Sequence, residues 1–237
     1  MKRYLVGAFL VLLGMSGLCF AEEVERAQGV VMLHGLARSS ECFKTMERAL
    51  NKAGYKTLRI DYPSTTSPVE VLCRDHVAPK VKAFAKEVKG PLAYVTHSMG
   101  GIILRFLAKE GMIEKPFRAV MLGPPNQGSE VVDKLGDLWL FEAIHGPAGH
   151  QMGTSKGALP NILGPVNFDV GVIAGTRTIN LILSSLIPGP DDGKVSVERT
   201  RLQGMVDFRA ISATHPFIMK SQEAVELTLM FLEQGHF

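Results

Sequence analysis

The chain has 237 residues, 46% of them hydrophobic and 21% charged, with a formal charge of +3 at neutral pH. That is enough chain to bury a substantial core in one domain, and neither a repeat array nor a low-complexity tract interrupts it. Without Lys2 and Arg3, the two basic residues of the first 21, the charge falls to +1, which excludes the basic footprint of a nucleic-acid binder.

Residues 1–21 start basic at Lys2-Arg3, run uncharged and apolar from Tyr4 to Phe20, and reach the small Ala21 just ahead of Glu22-Glu23. A secretory signal peptide is built this way. The expectation is export to the periplasm or beyond, with cleavage after Ala21 and a mature domain over residues 22–237. The same run of about 18 uncharged residues approaches the thickness of a bilayer core and would also serve as an uncleaved anchor. A lipid-modified Cys19 is a third arrangement, disfavoured by the bulky Leu18 before it. Export leaves Cys42 and Cys73 as an even pair in an oxidising compartment. A disulfide between them would close a loop of about 30 residues and stabilise by about 3 kcal/mol; the alternative is two unrelated small apolar side chains.

Gly29 to Leu33 is a continuous apolar run of the kind a strand buried on both faces shows, and it stops at His34-Gly35. Ser39 and Ser40 offer an N-cap to a helix whose apolar face is Phe43, Met46, Leu50 and Ala53, and Gly54 ends it. Tyr55 to Ile60 reads as a strand, Val77 to Val88 as a helix, and Leu92 to Val95 as the next strand. After a polar turn, Ile102, Ile103, Phe106 and Leu107 stripe another helix, and Ala119 to Leu122 is a buried strand ending at Gly123-Pro124-Pro125. From about 126 to 167 periodicity is poor, with Leu138 to Ile144 the clear helical piece, so this segment reads as a small cap-like insertion over the strand ends. Phe168 to Ala174 and Phe208 to Ser212 are the last strands, and Glu223 to Glu233 is a closing helix with Ser221 as its cap. Strands alternating with helices predict an α/β fold: a mostly parallel, six-stranded sheet with helices on both faces.

The polar turn is Thr96-His97-Ser98-Met99-Gly100-Gly101. A serine at a sharp strand-to-helix turn projects its hydroxyl out of the sheet, and Gly100 lets strand, turn and helix pass closely. Ser98 is therefore the candidate nucleophile, although Thr96 stands where the usual Gly-x-Ser-x-Gly pattern has its first glycine. A serine hydroxyl needs an imidazole to take its proton and a carboxylate to orient that imidazole. His215 follows the last strand, on a loop that would emerge at the same sheet edge, and is the candidate base. In the turn Asp191-Asp192-Gly193, Asp192 is preferred as the acid with Asp191 kept open, since two acids before a glycine also make an ordinary surface turn. The developing oxyanion needs donors: the N–H of Met99 at the helix start, and that of Leu36 in His34-Gly35-Leu36 at the mouth of the first strand. Gly35 gives close backbone approach there, His34 suits an orienting hydrogen bond, and His97 suits packing.

The His-Gly-Leu loop, the Ser98 elbow, the Asp192-Gly193 turn and His215 come in the order serine, acid, histidine. Over roughly residues 28 to 235 the chain resembles the α/β-hydrolase fold, and within it small secreted bacterial lipases and esterases of the triacylglycerol-lipase type. The resemblance implies hydrolysis of carboxylic esters through an acyl-enzyme, without a cofactor, on a small ester or lipid substrate and with transient contact to a lipid surface. Some members bind structural calcium, but no carboxylate cluster here requires it, and the histidine spacings carry no zinc signature. The short segment 126–167 departs from lipases with long lids, which leaves interfacial activation open. A thioesterase, amidase or acyltransferase would use the same three residues, and an inactive exported binding protein could keep the fold alone. Leu138, Trp139, Leu140, Phe141 and Ile144 suit either an acyl channel or the inner stripe of a helix.

Overall fold

Short apolar runs that alternate with helical stripes become strands in the computed structural model, which describes residues 26–136 and 139–237. In chain order the elements are β1 (Gly29–Leu33), α1 (Lys44–Lys52), β2 (Lys56–Ile60), α2 (Val69–Val71), α3 (Ala78–Val88), β3 (Leu92–His97), α4 (Met99–Lys109) and β4 (Arg118–Leu122). There follow α5 (Glu130–Leu135), α6 (Trp139–His150), α7 (Leu159–Ile162), β5 (Asp169–Gly175), α8 (Leu181–Ser184), β6 (Asp207–Ile211) and α9 (Gln222–Gln234). The strands form one sheet in the order β2-β1-β3-β4-β5-β6, and all five pairings are parallel. Strand order reverses between β1 and β3, because the chain first builds outward to β2 and then returns to the other side of β1. In open parallel sheets that reversal opens a crevice at the carboxyl ends of the strands. The loops after β1 and β3 flank it.

Both sheet faces are covered, which is why β1, β3 and β4 read as continuous apolar runs rather than alternating ones. Val31, Leu33, Tyr94 and Met121 face one core, closed by α3 and α4 through Val81, Phe84, Ile103 and Leu107. Val30, Met32, Ala93, Val95 and Val120 face the other, closed by α1 and α9 through Met46, Leu50, Ala224 and Phe231. Each fully buried Val, Leu, Ile, Met or Phe side chain among these contributes about 1.5–3 kcal/mol. Arg105 in α4 is buried with no carboxylate partner among the described residues. It donates instead to the Asn126 carbonyl at 3.0 Å and to those of Pro160 and Gly164 at 2.8 Å each, tying α4 to the segment after β4.

Several local readings are corrected. The helix expected from Val77 begins at Val69, and a π-helical stretch, Leu72–Val77, carries it into α3. Its polar Arg74-Asp75-His76 masks the helical stripe. Ser40 does not cap a helix: its hydroxyl donates to Asp61 at 2.7 Å, and a 3-10 turn, Ser40–Phe43, precedes α1. Ser221 sits at the N-cap of α9 without a side-chain capping bond. Segment 126–167 is more helical than its sequence suggests, since α5, α6 and α7 all lie within it. Helix α6 breaks at Gly146 (φ 60°, ψ −167°), where a Cβ would strike the Thr65 carbonyl.

Of the two arrangements open for Cys42 and Cys73, the structure has the unbridged one: both are free thiols. Cys42 packs against the core under α1 and α9, whereas Cys73 is buried in the core on the other side of the sheet, so the sheet separates them. Burial pushes the Cys42 thiol up to about 11 and the Cys73 thiol higher still. The leader expected over residues 1–21 lies outside the described residues, as does Leu138. Among the described residues no helix is long and apolar enough to cross a membrane.

Candidate active site

Ser98 occupies the one-residue step between β3 and α4, with φ 54° and ψ −125°. That backbone is strained for a residue with a Cβ, typically by about 1–3 kcal/mol, and it lifts the hydroxyl clear of the sheet edge. The step is held from below: the Ser98 N–H donates to the Leu122 carbonyl of β4 at 2.9 Å. Gly100 makes the crossing feasible, because a Cβ there would lie 2.2 Å from the Leu33 carbonyl oxygen.

His215 comes to Ser98 from the loop after β6. Its Nε2 lies 3.0 Å from Ser98 Oγ, and its Nδ1 lies 2.7 Å from Asp192 Oδ2. The other Asp192 oxygen accepts from the N–H groups of Lys194 at 3.0 Å and Val195 at 2.9 Å, so the buried carboxylate is fully used. The His215 N–H also donates to the Asp192 carbonyl at 2.9 Å, which fixes the two loops to each other. Asp191, the alternative acid, points elsewhere, accepting from the Gly193 N–H at 2.7 Å and the Ser184 hydroxyl at 2.6 Å. This arrangement can pass a proton from the serine hydroxyl to Nε2 while the carboxylate holds Nδ1–H.

The loop after β1 lies against the elbow. A Cβ on Gly35 would meet His97 Nδ1 and Ser98 Cβ at 2.9 Å each, so only glycine brings the backbone this close. His34 Nδ1–H donates to the Gly35 carbonyl at 2.8 Å, and its ring stacks on Tyr62 with centroids 3.9 Å apart. That carbonyl and the Leu36 N–H belong to one planar peptide unit, so the His34 bond sets the direction in which Leu36 donates. The Tyr62 hydroxyl donates to the His34 carbonyl from below. Burial lowers the affinity of His34 for a proton, which keeps the ring neutral near pH 7. The Met99 N–H is the first of α4 and has no intrahelical acceptor.

Leu36, Ser98, Met99 and His215 share the wall of a cavity of about 390 Å³, whose remaining surface is largely apolar, including Val131, Met152 and Leu183. A larger cavity of about 760 Å³ lies by Pro91 and Leu92, at the opposite ends of the strands and remote from Ser98. Among the described residues no group of three His, Cys, Asp or Glu side chains could hold a metal ion.

A model of the alpha/beta hydrolase family matches residues 30–217. The chain belongs to the alpha/beta hydrolase family. Among solved structures, the mature form of Bacillus licheniformis lipase BlEst2 is 19% identical, covering 87% of this chain and 92% of that one, with a TM-score of 0.70. Phospholipase PlaB from Legionella pneumophila is 15% identical over 89% of this chain and 60% of that one, with a TM-score of 0.64. A monoacylglycerol lipase from Paleococcus ferrophilus is 14% identical over 89% of this chain and 95% of that one, with a TM-score of 0.54. At these identities the likeness is one of fold. No curated protein sequence matches the chain.

In this alpha/beta hydrolase Thr96 is fully buried, and a Cβ on Gly101 would meet Pro124 Cβ at 3.2 Å and the Thr96 hydroxyl at 3.4 Å. Three contributions to the site were not read from the sequence. His97, expected to pack, places Nε2 at 2.9 Å from the His215 carbonyl, and so holds the backbone of the histidine that faces Ser98. Burial, then the nearby His215, keeps the His97 imidazole well below its ordinary 6.5, so it donates as a neutral ring. Gly123 (φ 54°) and Gly175 end β4 and β5 beneath Asp192, where Cβ atoms would lie 2.9 Å from Asp192 Oδ2 and 2.8 Å from Asp192 Cβ. Their partners come from distant loops, and no local pattern signals them. Of the apolar run 138–144, the structure describes the backbone of residues 139–144 within α6.

Proposed function

We propose that the chain is an exported carboxylic ester hydrolase of the lipase and esterase kind. In this reading residues 1–21 are a leader, residues 22–237 the catalytic domain, and residues 126–167 a cap beside the site. One observation carries it. A strained serine, an imidazole and a fully engaged carboxylate stand in hydrogen-bond sequence at the wall of a largely apolar cavity of about 390 Å³. The lipases and the phospholipase whose fold it shares support the same substrate class.

Ser98 Oγ attacks the ester carbonyl as His215 Nε2 takes its proton, a step worth about 10²–10⁴-fold. The N–H groups of Leu36 and Met99 receive the oxyanion, each contributing about 3 kcal/mol. The imidazolium, steadied by Asp192, returns the proton to the departing alkoxide. Water then attacks the acyl-enzyme with His215 again as base. Turnover of p-nitrophenyl esters of graded chain length, measured beside Ser98→Ala, tests the reading. The parent should hydrolyse them and the variant fall to near background; equal rates would remove Ser98 from the mechanism.

A further inference from the structure

Two side chains on the cavity wall have no part in acyl transfer. Arg38, on the loop after β1, and Lys194, on the turn after Asp192, both line the cavity that holds Ser98. Neither forms an ion pair among the described residues, although other arginines nearby do, such as Arg59 with Glu41 and Glu47. The acid in the described lining, Asp192, is already spent on His215 and on two backbone N–H groups. The two cations also oppose each other: desolvation of the ammonium, then Arg38, holds Lys194 below its usual range, with Asp192 acting the other way. Both residues are solvent-exposed while lining the cavity, and like charges placed together there raise the positive potential where substrate enters.

The rest of the wall is suited to a chain of methylenes, with Leu36, Val131, Met152, Ile179, Leu183 and Val195 along it. Arg presents a planar fork that matches phosphate oxygens, and Lys adds a point charge. We infer that the site takes esters bearing a phosphate group, which Arg38 and Lys194 bind while the acyl chain lies along the apolar wall. The inference rests on the ester-hydrolase reading and narrows its substrate class.

The test compares kcat/KM for 1-butyryl-glycerol-3-phosphate with that for 1-butyrylglycerol, which has the same acyl chain and no charge. For the parent at low salt the phosphate ester should be favoured by about tenfold, a difference of about 1.4 kcal/mol, with the ratio falling as salt screens the pair. The double variant Arg38→Ala, Lys194→Met should bring the ratio to about one. A parent ratio at or below one with both short-chain and long-chain esters, or an unchanged ratio in the double variant, overturns the inference. Long-chain versions of both esters in micelles distinguish the source: preference in the micellar set assigns a lipid headgroup, and preference in the short-chain set a dissolved ester. Binding of decyl phosphate and of decyl glycerol ether to Ser98→Ala, by calorimetry, reads the same preference without turnover. Tighter decyl phosphate binding with no turnover of any ester removes the hydrolase reading and keeps the cationic site. Equal turnover of charged and neutral esters does the reverse.

Discussion

Two adjacent carboxylates in one turn do different work, and their hydrogen bonds say which. Asp192 reaches His215 Nδ1 at 2.7 Å, whereas Asp191 serves the Gly193 N–H and the Ser184 hydroxyl. Asp192→Asn should therefore lower kcat by about 10⁴-fold, because the amide no longer selects the imidazole tautomer that can take the serine proton. Asp191→Asn should leave kcat within about threefold of the parent while destabilising the fold by about 1 kcal/mol. Steady-state kinetics and a urea titration of both variants check this, and a larger kcat loss in Asp191→Asn would reverse the assignment. Ser98 and His215 could be picked out in the sequence because each follows a strand whose place at the sheet edge is set by chain order, and Asp192 is preferred over Asp191 because it immediately precedes Gly193. His97 could not, since its partner is a backbone carbonyl 118 residues away. Whether Cys42 pairs with Cys73 stayed open for a related reason: spacing along the chain does not reveal which side of the sheet a side chain occupies.

The β3-Ser98-α4 unit depends on two glycines of unequal importance. A methyl at position 100 would meet the Leu33 carbonyl at 2.2 Å, a backbone atom of a central strand with nowhere to move. At position 101 the neighbours are Pro124 Cβ at 3.2 Å, which must shift by only a few tenths of an ångström, and Met121 Sδ and Thr96 Oγ1 at 3.4 Å, which are in ordinary contact. Gly100→Ala should destabilise by about 4 kcal/mol or more, and Gly101→Ala by about 1 kcal/mol. Urea midpoints of the two variants measure this, and equal losses at the two glycines would contradict it. The inner strands were legible because both-face burial writes continuous apolar runs such as Val30 to Leu33, whereas the edge strands β2 and β6 are partly exposed and carry charges such as Lys56 and Arg209. In segment 126–167 the piece 138–144 was legible and falls in α6, but α5, α7 and the rest of α6 were not, because Gly136, Gly146, Pro147 and Gly153 interrupt any stripe and their order comes from contacts such as those of Arg105.

At the scale of the whole molecule, two buried neutral imidazoles couple stability to pH. Burial depresses the proton affinity of His34 and of His97 in the folded chain, whereas both return to about 6.5 on unfolding. Below that value the unfolded chain binds protons that the folded chain does not, so stability falls as pH drops through 6.5 and is fully present above it. The slope should approach about 1.4 kcal/mol per pH unit for His97, the more strongly depressed of the two, with a smaller share from His34. Urea unfolding between about pH 7.5 and 5.5 should show this loss, and His97→Asn should remove the larger part of it. A flat profile would mean that these rings are protonated in the fold.

The most direct test of the central claim is where a fluorophosphonate attaches to the chain, read by peptide mass. The expected result is one adduct per chain on Ser98, formed at least about 10³-fold more slowly in His215→Ala. An adduct on another residue, or labelling of Ser98 at an unchanged rate without His215, would contradict the role given to this serine and its imidazole.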